Sequence, residues 1–209
     1  MGQAEMAGRR TQQQRRKETR AKLIHAAIEI IRDQGVANLT TAKVAKAAGM
    51  TRGAIQYHFE NPKDMMREVI VEVVGFLSDQ LEAENLSDME KTPRLSRIVD
   101  LYWHGYRSTT YEVFIEIAVH GRLDPEFGQI VSDALKVLEK ERDEQWLRLF
   151  SDFPQSDQDK LEWRSHLLVI LRGLALRQMF SETPEQVDGI YEYAKESYIA
   201  DICRRARLS

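Results

Sequence analysis

Residues 40–59 read TTAKVAKAAGMTRGAIQYHF, and the spacing within them decides the fold expected for the chain. Ala45 stands where two short helices would cross closely, and a larger side chain there would push them apart. Four residues on, Gly49 supplies a turn that needs positive φ. Ile55 follows after five more, and with Val44 and Ala48 it closes a small core beneath the crossing. This Ala-x3-Gly-x5-Ile frame predicts a helix-turn-helix. Its second helix is expected over residues 51–58 with Thr51 as N-cap, leaving Arg52, Gln56, Tyr57 and His58 outward once the apolar positions are assigned. Such side chains bond base edges and phosphates. An ordinary helical hairpin with a solvated polar face would satisfy the Ala-Gly frame equally well, so the flanking sequence has to choose between the two.

Upstream, residues 15–34 have the pattern of an amphipathic helix, with Leu23, Ala27, Ile30 and Ile31 on one stripe and Gly35 at its C′ position. Downstream, Phe59 is followed by Glu60-Asn61-Pro62-Lys63-Asp64, where Pro62 suits the first turn of a new helix. An N-terminal helix, then this motif, then Tyr57-His58-Phe59 with Lys63 and Met65-Met66 beyond, resembles the DNA-binding domain of TetR-family transcriptional regulators across about residues 17–69. Met50 and Met65 occupy positions where Val or Leu is commoner in that family. Asn61-Pro62 replaces a Ser-Lys or Asp-Lys loop, and all of these departures are sterically mild. The resemblance implies that Thr40 caps the first helix of the motif near a phosphate, that Tyr57, His58 and Lys63 grip phosphates, and that Arg52 and Gln56 contact bases. Thr51 would serve in either role. Ala54 would pack on a thymine methyl or simply permit close approach of the backbone.

Charge follows the same division. Residues 1–60 carry eleven Lys/Arg against five Asp/Glu, a balance of +6, while the remainder holds nineteen basic and twenty-eight acidic residues, a balance of −9. A basic reader on an acidic body docks on a polyanion by one face only, because its cations release counterions while the body is repelled. The leading run that includes Arg9, Arg10, Arg15, Arg16 and Lys17 is suited to lie along a DNA backbone or reach a minor groove, or to remain solvated.

The chain has 209 residues, 43% of them hydrophobic, with eleven glycines and five prolines. That composition fits a sizeable, mostly helical core. The fold class expected is all-α, about nine helices in total: a basic arm and three-helix DNA-binding domain at 1–62, then a larger helical effector-binding and dimerisation domain at 63–209. Later helices are expected near 62–85, 94–108, 111–120, 124–150, 158–181 and 184–205. Cys203 is the only cysteine, which excludes an intrachain disulfide and suits a reducing cytoplasm; it reads as a half-buried small residue rather than a redox sensor. No apolar run is long enough for a bilayer, and the N-terminus lacks a signal-peptide pattern, so no membrane partner is expected.

Two further surfaces are expected. Leu167, Leu171 and Leu174 belong to a segment apolar around most of its girth, and Tyr191 and Tyr198 to the helix after it; together they are expected to form a four-helix interface in a homodimer, with burial inside one subunit as the alternative. A two-fold dimer would carry two reading helices to the half-sites of a palindromic double-stranded operator. The middle helices gather aromatic and polar-tipped residues, and the resemblance implies that they enclose a pocket for a small-molecule effector. Trp103, His104, Tyr106, Arg107, Glu116, His120, Trp146 and Arg172 are its candidate lining, each also suited to plain packing. Glu116 and His120 stand at i and i+4, but no HExxH, Cys/His cluster, Gly-rich phosphate loop or nucleophile elbow accompanies them, so neither an enzyme nor a cofactor or metal is indicated. The function expected is a transcriptional repressor released by a small organic ligand. An activator or a ligand-independent DNA-binding protein is the alternative.

Overall fold

The computed structural model describes residues 12–82 and 84–207. Among them are nine α-helices and no strand: α1 (Gln12–Gln34), α2 (Thr41–Ala47), α3 (Arg52–His58), α4 (Pro62–Glu82), α5 (Lys91–Tyr106), α6 (Thr109–Leu123), α7 (Pro125–Leu149), α8 (Asp157–Met179) and α9 (Pro184–Ala206). Short 3-10 turns at Val36–Asn38 and Leu86–Asp88 follow α1 and α4. Arg9 and Arg10 of the basic arm lie outside the described residues.

Local chemistry explains where the helices start and stop. Gly35 ends α1 with φ 79°, its N–H donating to the Ile31 carbonyl at 2.8 Å. Thr40 caps α2 by accepting from the Lys43 N–H at 3.2 Å. Gly49, at φ 67°, closes the same helix: its N–H reaches the Lys46 carbonyl at 3.1 Å and that of Met50 reaches Ala45 at 2.8 Å, the paired bonds of a Schellman motif. Asp124 caps α7 through the Glu126 and Phe127 amides, with Pro125 in the first turn. Ser156 and Asp159 form a capping box at the start of α8.

Two apolar clusters hold the helices together. The first joins Leu23, Ala27 and Ile31 of α1 with Val44, Ala45, Ile55 and Phe59 of the helix-turn-helix, and continues without a break through Val69 and Ile70 of α4 to Ile117 of α6 and Ile130 of α7. The reader is therefore packed directly onto the helices that carry the rest of the molecule. The second cluster contains Leu95, Ile98 and Trp103 of α5, Trp146 and Phe150 around the end of α7, and the inner faces of α8 and α9. Between α6 and α7 the backbones nearly touch at two glycines: a Cβ on Gly128 would stand 2.4 Å from the Gly121 carbonyl oxygen.

The structure corrects the residues expected at a subunit interface. Leu167, Leu171, Leu174, Tyr191 and Tyr198 are all buried inside one subunit. Polar anchors turn that face inward: the Tyr198 hydroxyl donates to the Trp163 carbonyl at 2.9 Å, the Tyr191 hydroxyl bonds Asp100, and Lys195 pairs with Asp100 at 2.6 Å. The opposite faces of the same two helices carry exposed apolar side chains instead. These are Val169 (71% exposed), Leu176 and Phe180 (81%) along α8 and its C-cap, and Ile190 and Tyr193 (73%) on α9. Among the described residues, nothing lies within 4 Å of where a side chain on Gly173 or Gly189 would project.

Candidate nucleic-acid interface and effector cavity

The Schellman turn at Gly49 sets α3 across α2, and Ile55 anchors its inner side at 2% exposure. The outer side is then fixed by helical spacing. Thr51, Arg52 and Gln56 are exposed there, and Tyr57 is 65% exposed with the Arg16 guanidinium carbon 5.7 Å from its ring centroid. Thr51 occupies the cap position of α3 without a side-chain cap bond, so its hydroxyl is not committed within the helix. Thr40 is exposed at the start of α2. At the start of α4, Lys63 is also exposed, and its ammonium pairs with Glu126 from the first turn of α7. Thr40, Thr51, Arg52, Gln56, Tyr57 and Lys63 therefore all lie in the exposed parts of the motif and its flanks.

His58 does not join them. It is only 8% exposed, under Arg20, whose guanidinium donates to the His58 carbonyl at 3.0 Å and pairs with Glu68. One helical step of about 100° beyond exposed Tyr57 turns this side chain inward, so the outward assignment of His58 does not hold. Its Nδ1 is buried without a hydrogen-bond partner among the described residues. Burial, and then the charges of Arg16 and Arg20, push its pKa down from the ordinary imidazole value of 6.5. A depressed imidazole is neutral at pH 7, and the unfolded chain takes up a proton that the folded chain resists. Stability should consequently decline as pH falls below about 6.5, and His58→Gln should flatten that decline in a series of urea midpoints. An unchanged slope in the variant would assign the acid sensitivity to other groups.

A second feature lies deeper in the body. A narrow cavity is enclosed by five helices: Val73 and Val74 from α4, Tyr106 from α5, Tyr111 and Phe114 from α6, Leu135, Glu139 and Arg142 from α7, and Arg172 from α8. Its volume is about 30 Å³, room for a water-sized group, so the surrounding side chains must part to admit anything larger. Arg172 donates through Nε to the Tyr106 hydroxyl at 3.2 Å and lies 3.4 Å from Glu139. Glu139 also takes a 2.7 Å ion pair from buried Arg164, which binds Asp143 by its other arm at 2.7 Å. Burial alone would raise the Glu139 pKa, but Arg164, Arg172 and Arg142 hold it below the ordinary carboxylate value, so it is ionised.

Of the eight residues expected to line a pocket, Tyr106 and Arg172 do so in this cavity. Trp103, His104 and Arg107 gather instead at a shallow outer depression, where Trp103 stacks on Tyr191 at 4.9 Å. Trp146 is packed on Phe150 in the second core and donates to the Lys160 carbonyl at 2.7 Å. His120 packs edge-on against Phe127. Glu116 has a different task, accepting the Val36 N–H at 3.2 Å and so tying α6 to the turn that leads into the helix-turn-helix. Glu139 and Arg142 were missed, although Arg142 falls at helical spacing on the apolar stripe of Leu138 and Trp146, which marks a buried charge.

Comparison with known proteins places this geometry. Residues 23–69 match the family model described as bacterial regulatory proteins, tetR family. The HTH-type transcriptional regulator CymR of Pseudomonas putida is 23% identical over 199 residues, spanning 91% of this chain and 96% of its own. TtgW, also of Pseudomonas putida and described as an uncharacterized HTH-type transcriptional regulator, is 32% identical over 108 residues, 52% of this chain and 78% of that protein. Among solved structures, the multidrug binding protein EbrR complexed with imidazole shares the fold, with a TM-score of 0.57 at 22% identity over 86% of this chain and 92% of that one.

Proposed function

This chain belongs to the TetR family of helix-turn-helix transcriptional regulators, and from that premise we propose that it is a repressor that binds a palindromic operator as a homodimer and leaves it when a small organic ligand occupies the five-helix cavity. The observation that carries the DNA half of the reading is the exposed face of α3, where Arg52 and Gln56 stand clear of the core that buries Ile55. The excess of positive charge over the first sixty residues supports it. No helix among the described residues is long and apolar enough to cross a membrane, in keeping with a regulator that works in the cytoplasm.

Release follows from how the cavity is walled. Helix α4 begins beside the reader at Lys63 and reaches the cavity at Val73 and Val74, so a ligand that displaces α4 moves the reading helix of each subunit. Contacts of Glu116 with Val36 and of Glu126 with Lys63 add two further links from α6 and α7. A ligand that prefers one arrangement by ~1–3 kcal/mol changes operator affinity about 5–150-fold. The imidazole complex of EbrR supports reading such a body as a ligand seat.

Selection of bound duplexes from a random DNA pool, followed by affinity measurements at two salt concentrations, tests the proposal. An enriched palindrome bound tightly and with salt sensitivity is expected; weak binding without any enriched motif would overturn it. On the selected site, Arg52→Ala or Gln56→Ala should relax preference at one position by ~1–3 kcal/mol. Lys63→Ala should instead weaken binding to every sequence and reduce the salt slope by about 1. Glu126→Gln frees Lys63 and should tighten binding modestly, within the ~0.2–1 kcal/mol of an exposed ion pair. Identical behaviour of all these variants would refute the division between base and phosphate contacts.

A further inference from the structure

Resting on the reading of α3 as the base-contacting helix, we infer that Arg20 of α1 is a positioning residue for operator recognition. Its guanidinium fixes the end of α3 against α4, and it acts on DNA through α3 rather than by touching a phosphate. Helix α3 is seven residues long. Two turns of helix have little stability of their own, so the direction of α3 is set by what grips it. The Schellman turn at Gly49 leads into its start, and Ile55 anchors its inner side. The last turn is held by Arg20, whose Nη1 donates to the His58 carbonyl at 3.0 Å. That carbonyl belongs to the negative end of the helix, where a cation is favoured.

The rest of the guanidinium is committed as well. Nε donates to Glu68 of α4 at 2.5 Å, Nη2 donates to the other oxygen of the same carboxylate, and the guanidinium carbon lies 4.7 Å from the centre of the Phe59 ring. One planar fork thus joins three helices: α1 carries it, α4 supplies its counter-ion, and α3 receives its remaining donor. Lysine has the charge without the fork and cannot hold both partners in this geometry. The side chains of the pair are part exposed, 33% for Arg20 and 40% for Glu68, so the pair contributes little to overall stability and its loss is read on DNA rather than as unfolding.

Arg20→Gln, Arg20→Lys, Glu68→Gln and the Gln/Gln double variant of the full-length protein should be compared with the parent on the duplex selected from the random pool and on an unrelated duplex of equal length. Melting midpoints are measured alongside. Glu68→Gln is the decisive variant, because loss of an acidic group tightens binding to a polyanion by charge alone. Positioning predicts instead that it reduces preference for the selected duplex about tenfold or more, the scale of one bidentate base contact. Arg20→Gln and Arg20→Lys should lose preference to a similar extent, and the double variant no more than either single one, since each change breaks the same fork. All should melt within about 4 °C of the parent. A phosphate contact gives a different pattern: Arg20→Gln weakens both duplexes alike and reduces the salt slope by about 1, Arg20→Lys binds like the parent, and Glu68→Gln binds more tightly. That pattern would overturn the inference. So would variants that melt far below the parent yet keep its preference, which would make Arg20 a structural tie alone. Selection that enriches no motif would overturn the base-reading assignment of α3 and the inference with it.

Discussion

Gly128→Ala is expected to destabilise the folded chain by roughly 3 kcal/mol, the upper end of overpacking penalties, because the added methyl meets backbone rather than a movable side chain. Its Cβ would stand 2.4 Å from the Gly121 carbonyl oxygen and 3.3 Å from the Gly121 carbonyl carbon. Neither atom belongs to a flexible end, so α6 and α7 must separate along their line of contact. For a chain of this length the melting midpoint should drop by about 6–12 °C. Gly75→Ala, in α4, is the matched control: among the described residues nothing lies within 4 Å of its Cβ position, and relief of helix-interior glycine should stabilise by roughly 0.5–1 kcal/mol. Thermal denaturation of both variants decides the matter, and equal midpoints would mean that the two helices separate without penalty. Because α6 holds Val36 through Glu116 while α7 holds Lys63 through Glu126, any folded fraction of Gly128→Ala should also show altered operator affinity.

What could be read from the amino-acid chain divides along a physical line. The helix-turn-helix was legible because its frame rests on backbone requirements: positive φ at Gly49 and a close crossing at Ala45 admit few residue types, and both are found as expected. Helix ends were legible for the same reason, since Gly35, Asp124 and Pro184 mark them by cap or φ preference. Orientation of a helix about its own axis was not. His58 is one position beyond exposed Tyr57 and faces the opposite way. Trp103 and Tyr106 lie three apart on α5, yet one stacks on α9 and the other lines the cavity, because α4, α6, α8 and α9 all pack around α5. Periodicity gives the existence of a buried stripe, and where nearly every stripe is apolar it gives no direction.

Helix α8 is the clearest instance, and it carries the prediction with the largest effect. Leu171→Asp places a carboxylate at 1% exposure against the second core, with no cation expected to reach it, and should leave the protein largely unfolded. Val169→Asp differs by two positions and should leave the fold intact, since that side chain is 71% exposed in the single subunit. We assign the face of the proposed homodimer to exposed Val169, Leu176, Phe180, Ile190 and Tyr193; on that assignment Val169→Asp combined with Phe180→Asp sets like charges across the two-fold axis and should give a folded monomer by sedimentation. Circular dichroism of the double variant should match the parent. Its operator affinity should fall by roughly 10²–10⁴-fold, because two half-sites then no longer bind as one linked event. A double variant that remains dimeric and keeps its operator affinity would place the interface on another surface. A monomer that still binds the palindrome tightly would show that paired reading helices are not the source of affinity.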